Sequence, residues 1–304
     1  MKRLVLLLAL ALAWGSGCDS KKDRVVVIYT SQDQEYAEPI LRLFAKQTGI
    51  EVRAVYDSEA VKTVGLVNRL LAEKNRPQCD VFWNNEEMRT RLLAAQNIFP
   101  DANSWAAVGY RERQLVYNTN VLPAARLPKT LLSLTNQTFK GKLAIAYPLF
   151  GTTATHFLVL RQKWGAAGWE KWCRALAANR PMLVDGNSVV VKLVARGEAQ
   201  IGLTDSDDIV AARREGLPVA ALALAENDRL RIPNTLGLVR GAPHPAQGQQ
   251  LIRYLSGQQV LATLVSAGAL VSTAPPKQSA DIAWNKVVEE LDPATKTLRE
   301  IFLR

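Results

Sequence analysis

The chain has 304 residues, 48% of them hydrophobic, with a formal net charge of +10, three cysteines and two histidines. That length and apolar content exclude a disordered or fibrous chain and provide core enough for two lobes. The basic residues are spread without a Lys/Arg run or an aromatic-basic repeat, so a solvated basic surface is expected and no nucleic acid partner.

Lys2-Arg3, the apolar run Leu4 to Trp14 and the small residues Gly15-Ser16-Gly17 form the three regions of a secretory signal. The run is shorter than the about 20 residues that cross a bilayer. With Cys18 next, the segment resembles a bacterial lipoprotein signal, although Gly15 stands where Leu is usual. The resemblance implies a signal peptide over 1–17, lipidation of Cys18 and a tether over 18–24; ordinary cleavage to a free protein is the alternative. Losing Lys2 and Arg3 takes the charge from +10 to +8. Cys79 and Cys173 are expected as two separately buried thiols, with a disulfide as the alternative in an oxidising compartment.

Beyond the tether, Arg24 to Tyr29 is a β-rich run that stops at Thr30-Ser31-Gln32-Asp33. Tyr36, Ile40, Leu41 and Phe44 then recur at helical spacing, and Gly49 ends the helix. Ile50 to Tyr56 alternates as a second strand. Ser58 opens a helix with Val61, Val64, Val67, Leu70 and Leu71 on one side, closed by Asn75-Arg76-Pro77. Cys79 to Trp83 is a third strand running into Asn84-Asn85-Glu86-Glu87, and Met88 to Gln96 a third helix. Strands alternating with helices predict a parallel sheet.

Gln114 to Asn118 reads as a strand leaving this first lobe, with the crossover near Asn118. Leu143 to Pro148 is a strand, and Gly151-Thr152-Thr153-Ala154-Thr155 opens a helix to about Lys163. Trp164, Trp169 and Trp172 flank another helical stretch to Ala178 and are expected to pack rather than to stack a sugar. Val191, Leu193 and Val194 share a helical face. Ile201-Gly202-Leu203 is a short strand that meets Thr204-Asp205-Ser206-Asp207-Asp208, and a helix from Ile209 to Glu215 follows. Ile232 to Val239 returns to the first lobe, before helices at about 246–256, 258–267 and 281–303. The domains are therefore 25–118 in lobe 1, 119–235 in lobe 2, 236–280 back in lobe 1, and a C-terminal helix over 281–304 with no lobe assigned.

Ligands collect at the carboxyl ends of strands in open α/β sheets, so the acidic corner after Leu203 is the expected wall of a cleft. One helix cap needs one residue, and Asp205, Asp207 and Asp208 exceed that need. Asp33 is a second candidate, as cap or ligand. Asn85 or Glu86 faces the cleft, or sits in a solvated loop. Thr152 and Thr153 supply hydroxyls at a helix start, for an anion or as caps. His156 and His244 lack any zinc spacing, and a helix-face or surface role is expected.

Tyr29 to Asp33, Phe44 to Ile50, Asp80-Val81-Phe82-Trp83, Gly186-Asn187-Ser188 and Gly197-Glu198-Ala199 before Ile201-Gly202-Leu203 occur in an order similar to bacterial extracellular solute-binding proteins. The resemblance is to the ferric-iron group of the type II periplasmic binding proteins. It implies an α/β fold of two periplasmic-binding-protein-like lobes with crossing hinge strands, holding a ligand for an ABC permease of the inner membrane. In the iron-binding relatives a His, a Glu and two adjacent Tyr hold the metal. Asp33, Asn85, Asp207 and Asp208 stand in those places here, an oxygen set that suits hard cations or an ammonium group. Arg111 or Arg113, with Asn187, Ser188, Thr152 and Thr153, match the anion-holding region.

The expected function is thus a solute-binding lipoprotein, monomeric and not an enzyme, in the periplasm or at the cell surface. Its ligand is ferric iron or another hard metal ion at Asp33, Asp207 and Asp208 with an anion; no resident cofactor is expected. A small organic cation or zwitterion such as an aminophosphonate is the alternative. Other readings are a sensor subunit, and a secreted hydrolase pairing His156 with Asp205, Asp207 or Asp208.

Overall fold

A computed structural model describes residues 24–57, 63–101, 103–277 and 281–303. The signal segment, Cys18 and the start of the second helix, Ser58 to Val61, lie outside the described residues. The β-branched run Val25–Thr30 forms β1, buried along nearly its whole length. It lies parallel to β2 (Glu51–Tyr56) on one side and to β3 (Val81–Asn84) on the other. Helix α1 (Gln34–Thr48) buries Ala37, Ile40, Leu41 and Phe44, the i, i+3, i+4, i+7 stripe of an amphipathic helix. Gly49 ends it in the left-handed region at φ 69°, its N–H donating to the carbonyl of Ala45. Helices α2 (Val64–Ala72) and α3 (Glu87–Ala95) complete this half.

The strand expected at Gln114 to Asn118 is the second part of a longer one, β4 (Trp105–Asn118). Up to Glu112 it pairs antiparallel with β9 (Arg231–Leu238); from Arg113 it pairs with β7 (Ile201–Asp205), and from Gln114 also with β8 (Val219–Ala223). The register slips between Val108 and Tyr110, where Gly109 takes φ 58° and a Cβ would lie 2.6 Å from both Leu270 Cδ1 and Ser272 O. A bulge of this kind bends and twists a strand. Beyond β7 come β5 (Leu143–Ala146) and β6 (Met182–Val184), both parallel, so the main path runs β2-β1-β3-β9-β4-β7-β5-β6. Strands β6 and β8 have no counterpart in the sequence reading.

Helix α4 (Gly151–Ala178) is two helices broken at Gly165, φ 72° and ψ 157°, in agreement with the two expected. Helices α5 (Asn187–Ala195), α6 (Ser206–Arg214), α7 (Pro245–Leu255) and α8 (Gln258–Ser266) follow expectation within a few residues. The single C-terminal helix is a correction: α9 (Trp284–Glu289) and α10 (Leu291–Phe302) are separate, with Glu290 between them.

Strand alternation divides the interior. Val26, Ile28, Val81 and Trp83 face one apolar cluster with α1, α7 and α8; Tyr29 and Phe82 face another with α2 and α3. In the other half, Ala144 and Ala146 face α5 and α6, while Leu143, Ile145, Ile201 and Leu203 face α4 and the C-terminal helices. Leu291, Ala294, Leu298 and Phe302 of α10 belong to that last cluster, which places the C-terminal helix on the second half. Burying a side chain such as Leu298 contributes about 1.5–3 kcal/mol. Trp169 and Trp172 are core residues, and Cys79 and Cys173 are separate buried thiols. Among the described residues no helix is long and apolar enough to cross a membrane.

Candidate functional site

The acidic corner is built by strand pairing. Arg113 on β4 stands directly opposite Asp205 at the end of β7, and Arg111 falls on the same face two residues earlier. Arg113 Nη1 donates to Asp205 Oδ1 at 2.7 Å, and Arg111 Nη1 to Asp207 Oδ2 at 2.5 Å. Arg111 Nη2 also lies 3.4 Å from Asp205 Oδ2 and donates to the Asn85 carbonyl at 3.1 Å. All four charged side chains are at most 3% exposed, so two positive and two negative charges balance inside the protein.

Asp205 is fully engaged. Its Oδ2 accepts from Thr152 Oγ1 at 2.7 Å and from Asn187 Nδ2 at 3.1 Å. Burial alone would raise its pKa, but the guanidiniums of Arg113 and Arg111 outweigh burial and hold the carboxyl below its usual range. Asp207 goes the other way. Burial, reinforced by repulsion from Asp205 and Asp33, pushes it up to about 6 despite Arg111. Its Oδ1 is buried with no hydrogen-bond partner. Asp208 is half-buried and accepts from Thr204 Oγ1 at 3.0 Å. Although Asp205 is the N-cap residue of α6, its side chain makes no capping bond. One oxygen from each of Asp205, Asp207 and Asp208 falls within 4.8 Å of the others.

The first half supplies the facing wall. Asn85 is pinned by Ser31: its Nδ2 donates to the Ser31 carbonyl at 2.8 Å, and Ser31 Oγ donates to its Oδ1 at 3.0 Å. Glu86 points away from the cleft rim. It accepts the Arg89 N–H as the cap of α3 and the Thr155 hydroxyl at 3.0 Å, and burial raises its pKa. Asp33 is the N-cap residue of α1, again without a side-chain capping bond.

Asp33, Asn85, Arg111, Thr152, Thr153, Asn187, Asp205 and Asp208 thus line one cavity of about 30 Å³, room for a few water-sized groups. The starts of α4 and α5 meet there, and their N-terminal N–H groups and dipoles favour an anion. Asp33 and Asp208 also line a larger cavity of about 380 Å³, with Asp207 and Ser188 on its wall. Tyr147, a candidate to stand in for the missing tyrosines, also lines the smaller pocket, as do Phe150 and Asp185, which were not anticipated; the polar ends of β5 and β6 were the only signal for those two. Nor was the burial of Arg111 and Arg113 against aspartates, for which their i, i+2 spacing was the clue.

His156 makes no hydrogen bond to the acidic cluster. It is completely buried, its Nε2 lies 2.7 Å from the Asp228 carbonyl, and burial followed by the charge of Arg113 lowers its pKa to about 3. The acid/base pair of the hydrolase reading is therefore not assembled. His244 Nδ1 lies 3.0 Å from Asp80 Oδ2.

Known proteins share this plan. A Salmonella paratyphi A protein named as a candidate 2-aminoethylphosphonate-binding periplasmic protein is 28% identical over 284 residues, 85% of this chain and 81% of its own. The Fe(3+)-binding periplasmic protein of Serratia marcescens is 28% identical over 213 residues, 64% of this chain and 60% of its own. Iron-bound HitA from Pseudomonas aeruginosa superposes with a TM-score of 0.79 at 18% identity, over 91% of this chain and 99% of the other, a likeness of fold. The expected two-lobed α/β architecture is the fold of these neighbours. Residues 26–270 match the model of the bacterial extracellular solute-binding proteins, and the chain belongs to that family.

Proposed function

We propose that this chain is the solute-binding component of an ABC importer and that its ligand combines a positive centre with an anionic group. The observation that carries this reading is the meeting of two opposite features in one cleft. Asp207 and Asp208 adjoin the starts of α4 and α5, with Thr152, Thr153 and Asn187, on one wall, and Asp33 faces them from the other half. Closure of the lobes along β4 and β9 expels water from between them, and the closed form is what the permease binds. In the first form of the proposal the positive centre is ferric iron or another hard cation, with the anion beside it. Carboxylate oxygens suit such ions, and relatives named for Fe(3+) binding support it.

A second form joins both charges in one molecule, an aminophosphonate. The specific observation in its favour is that Asp205 and Asp207 already carry buried arginine partners, so a trivalent ion would sit against the charge of Arg111. An ammonium group brings less charge and donates hydrogen bonds. The relatives named for 2-aminoethylphosphonate also span more of the chain.

The periplasmic names of the relatives support export; in this proposal Cys18 carries a lipid anchor and the protein works as a monomer. Native mass spectrometry of the anchor-free protein, stripped with a chelator, tests the two forms with ferric citrate and 2-aminoethylphosphonate offered separately. A one-to-one iron adduct that Asp208→Asn loses supports the metal form. An organic adduct without an iron adduct supports the second. With neither adduct the proposal fails.

A further inference from the structure

We propose that Arg111 is the specificity-determining residue of the cleft. Its guanidinium is a tethered cation that takes the place of a metal ion beside Asp205 and Asp207, and so directs capture away from bare hard cations and towards organic solutes with an anionic group. The inference rests on the solute-capture reading and chooses between its two forms.

Geometry is the first argument. Carboxylates converging as Asp205, Asp207 and Asp208 do would suit a hard cation, but the corner already holds a positive charge. Arg111 Nη1 donates to Asp207 Oδ2 at 2.5 Å while Nη2 lies 3.4 Å from Asp205 Oδ2, so one planar fork spans two carboxylates. Nη2 also donates to the Asn85 carbonyl at 3.1 Å, which ties the same head to the first half. Arg111 is buried, and burial works against its charge, yet Asp207, Asp205 and Asp33 outweigh burial and raise its pKa further.

Charge is the second argument. Arg113 engages the other oxygen of Asp205, so the buried group of two arginines and two aspartates is neutral without any ion. A metal ion entering here must either displace a guanidinium that has no water to move into, or share its carboxylates and meet its charge at low dielectric. Arg111 also lines the small pocket, together with the starts of α4 and α5. Its charge there adds to the helix N–H groups that favour an anion. One side chain thus withholds two carboxylates from cations and strengthens the wall that an anionic group meets. Vacating its head would open Asp205 and Asp207 to the same pocket.

Calorimetry in phosphate-free buffer at neutral pH tests this with terbium(III), a hard trivalent ion, and with ferric citrate and 2-aminoethylphosphonate, on the native protein, Arg111→Ala and Arg111→Lys. Arg111→Ala should bind terbium at least about tenfold more tightly than the native protein and 2-aminoethylphosphonate at least about tenfold less tightly, the low end of what close charge pairs contribute. Arg111→Lys keeps the charge and should keep the native order. Opposite shifts separate this role from general loosening, which weakens both ligands. Because Arg111→Ala strips Asp207 of its buried partner, circular dichroism accompanies the titration. If the variant unfolds, terbium should restore the folded signal saturably, since an ion that binds only the folded chain stabilises it. Three results overturn the role of Arg111 while solute capture stands: native protein that binds terbium as tightly as Arg111→Ala, a variant that terbium neither binds nor refolds, or both ligands weakening together. Native binding of ferric citrate and not of 2-aminoethylphosphonate overturns it and leaves the metal form. Native binding of neither overturns the proposed function and this inference with it.

Discussion

Replacing Asp205 with Asn tests whether the buried network is a balanced electrostatic unit. In the native protein Arg111 and Arg113 are matched by Asp205 and Asp207, all essentially out of water. The substitution preserves shape and removes one negative charge, leaving a surplus guanidinium charge where Asp205 Oδ1 met Arg113 at 2.7 Å. Breaking a buried pair from one side costs about 3–5 kcal/mol, a large part of a total stability of about 5–15 kcal/mol. At about 2 °C per kcal/mol for a chain of this size, the melting temperature should fall by about 6–10 °C. Equilibrium urea unfolding measures the free energy directly, and an unchanged slope shows that the denatured state is unaltered. Adding Arg113→Met to Asp205→Asn restores neutrality and should recover part of the loss. A single-variant loss below about 1 kcal/mol, or a double variant as unstable as the sum of its parts, would refute the reasoning.

Acidity should move binding and stability in opposite directions through Asp207. Its folded pKa, about 6, lies above the unfolded value of 3.8, so its contribution to stability is fully present below the unfolded value and lost as pH rises through about 6. Capture of a cationic group needs the ionised form, so affinity should be full above about pH 6 and fall below it; titrations at pH 5 and 7.5, beside Asp207→Asn, check both signs. Gly202→Ala should cost about 1–3 kcal/mol by denaturation, because its Cβ would lie 2.4 Å from Val190 Cγ1 and 3.0 Å from the Ala144 carbonyl. Cys79 and Cys173, buried and with thiol pKa values raised chiefly by burial, should resist a thiol reagent in the folded protein and both react in denaturant; rapid native labelling would contradict this.

Much of the fold was legible because its strongest elements follow simple periods. The run at Val25–Thr30, the apolar stripe of α1 and the glycine stop at Gly49 are local signals that the tertiary structure keeps. Strand β6 escaped notice because three residues define no period, and β8 because Val219–Ala223 is small and nearly featureless. The first part of β4 was hidden by the bulge at Gly109, which interrupts its alternation. At the site, the acidic corner and the helix starts were visible as composition at strand ends. The engagement of Asp205 and Asp207 by arginines was not, because it depends on the β4–β7 register.

The division of the interior also sets an order in which the protein can be completed as its chain is made. The cluster beneath α5 and α6 draws only on residues up to Val219. The one beneath α2 and α3 needs Val239, the one beneath α1 needs Leu270, and the largest needs Phe302. During synthesis, strands β5 and β7 thus acquire cover from α5 and α6 on one face and from α4 on the other, while the apolar surface of α4 that packs against α10 waits for the final helix. Exposed apolar surface of that kind invites association with other chains. A chain cut short between Val219 and α10 is therefore left with an uncovered apolar cluster, not a smaller finished core.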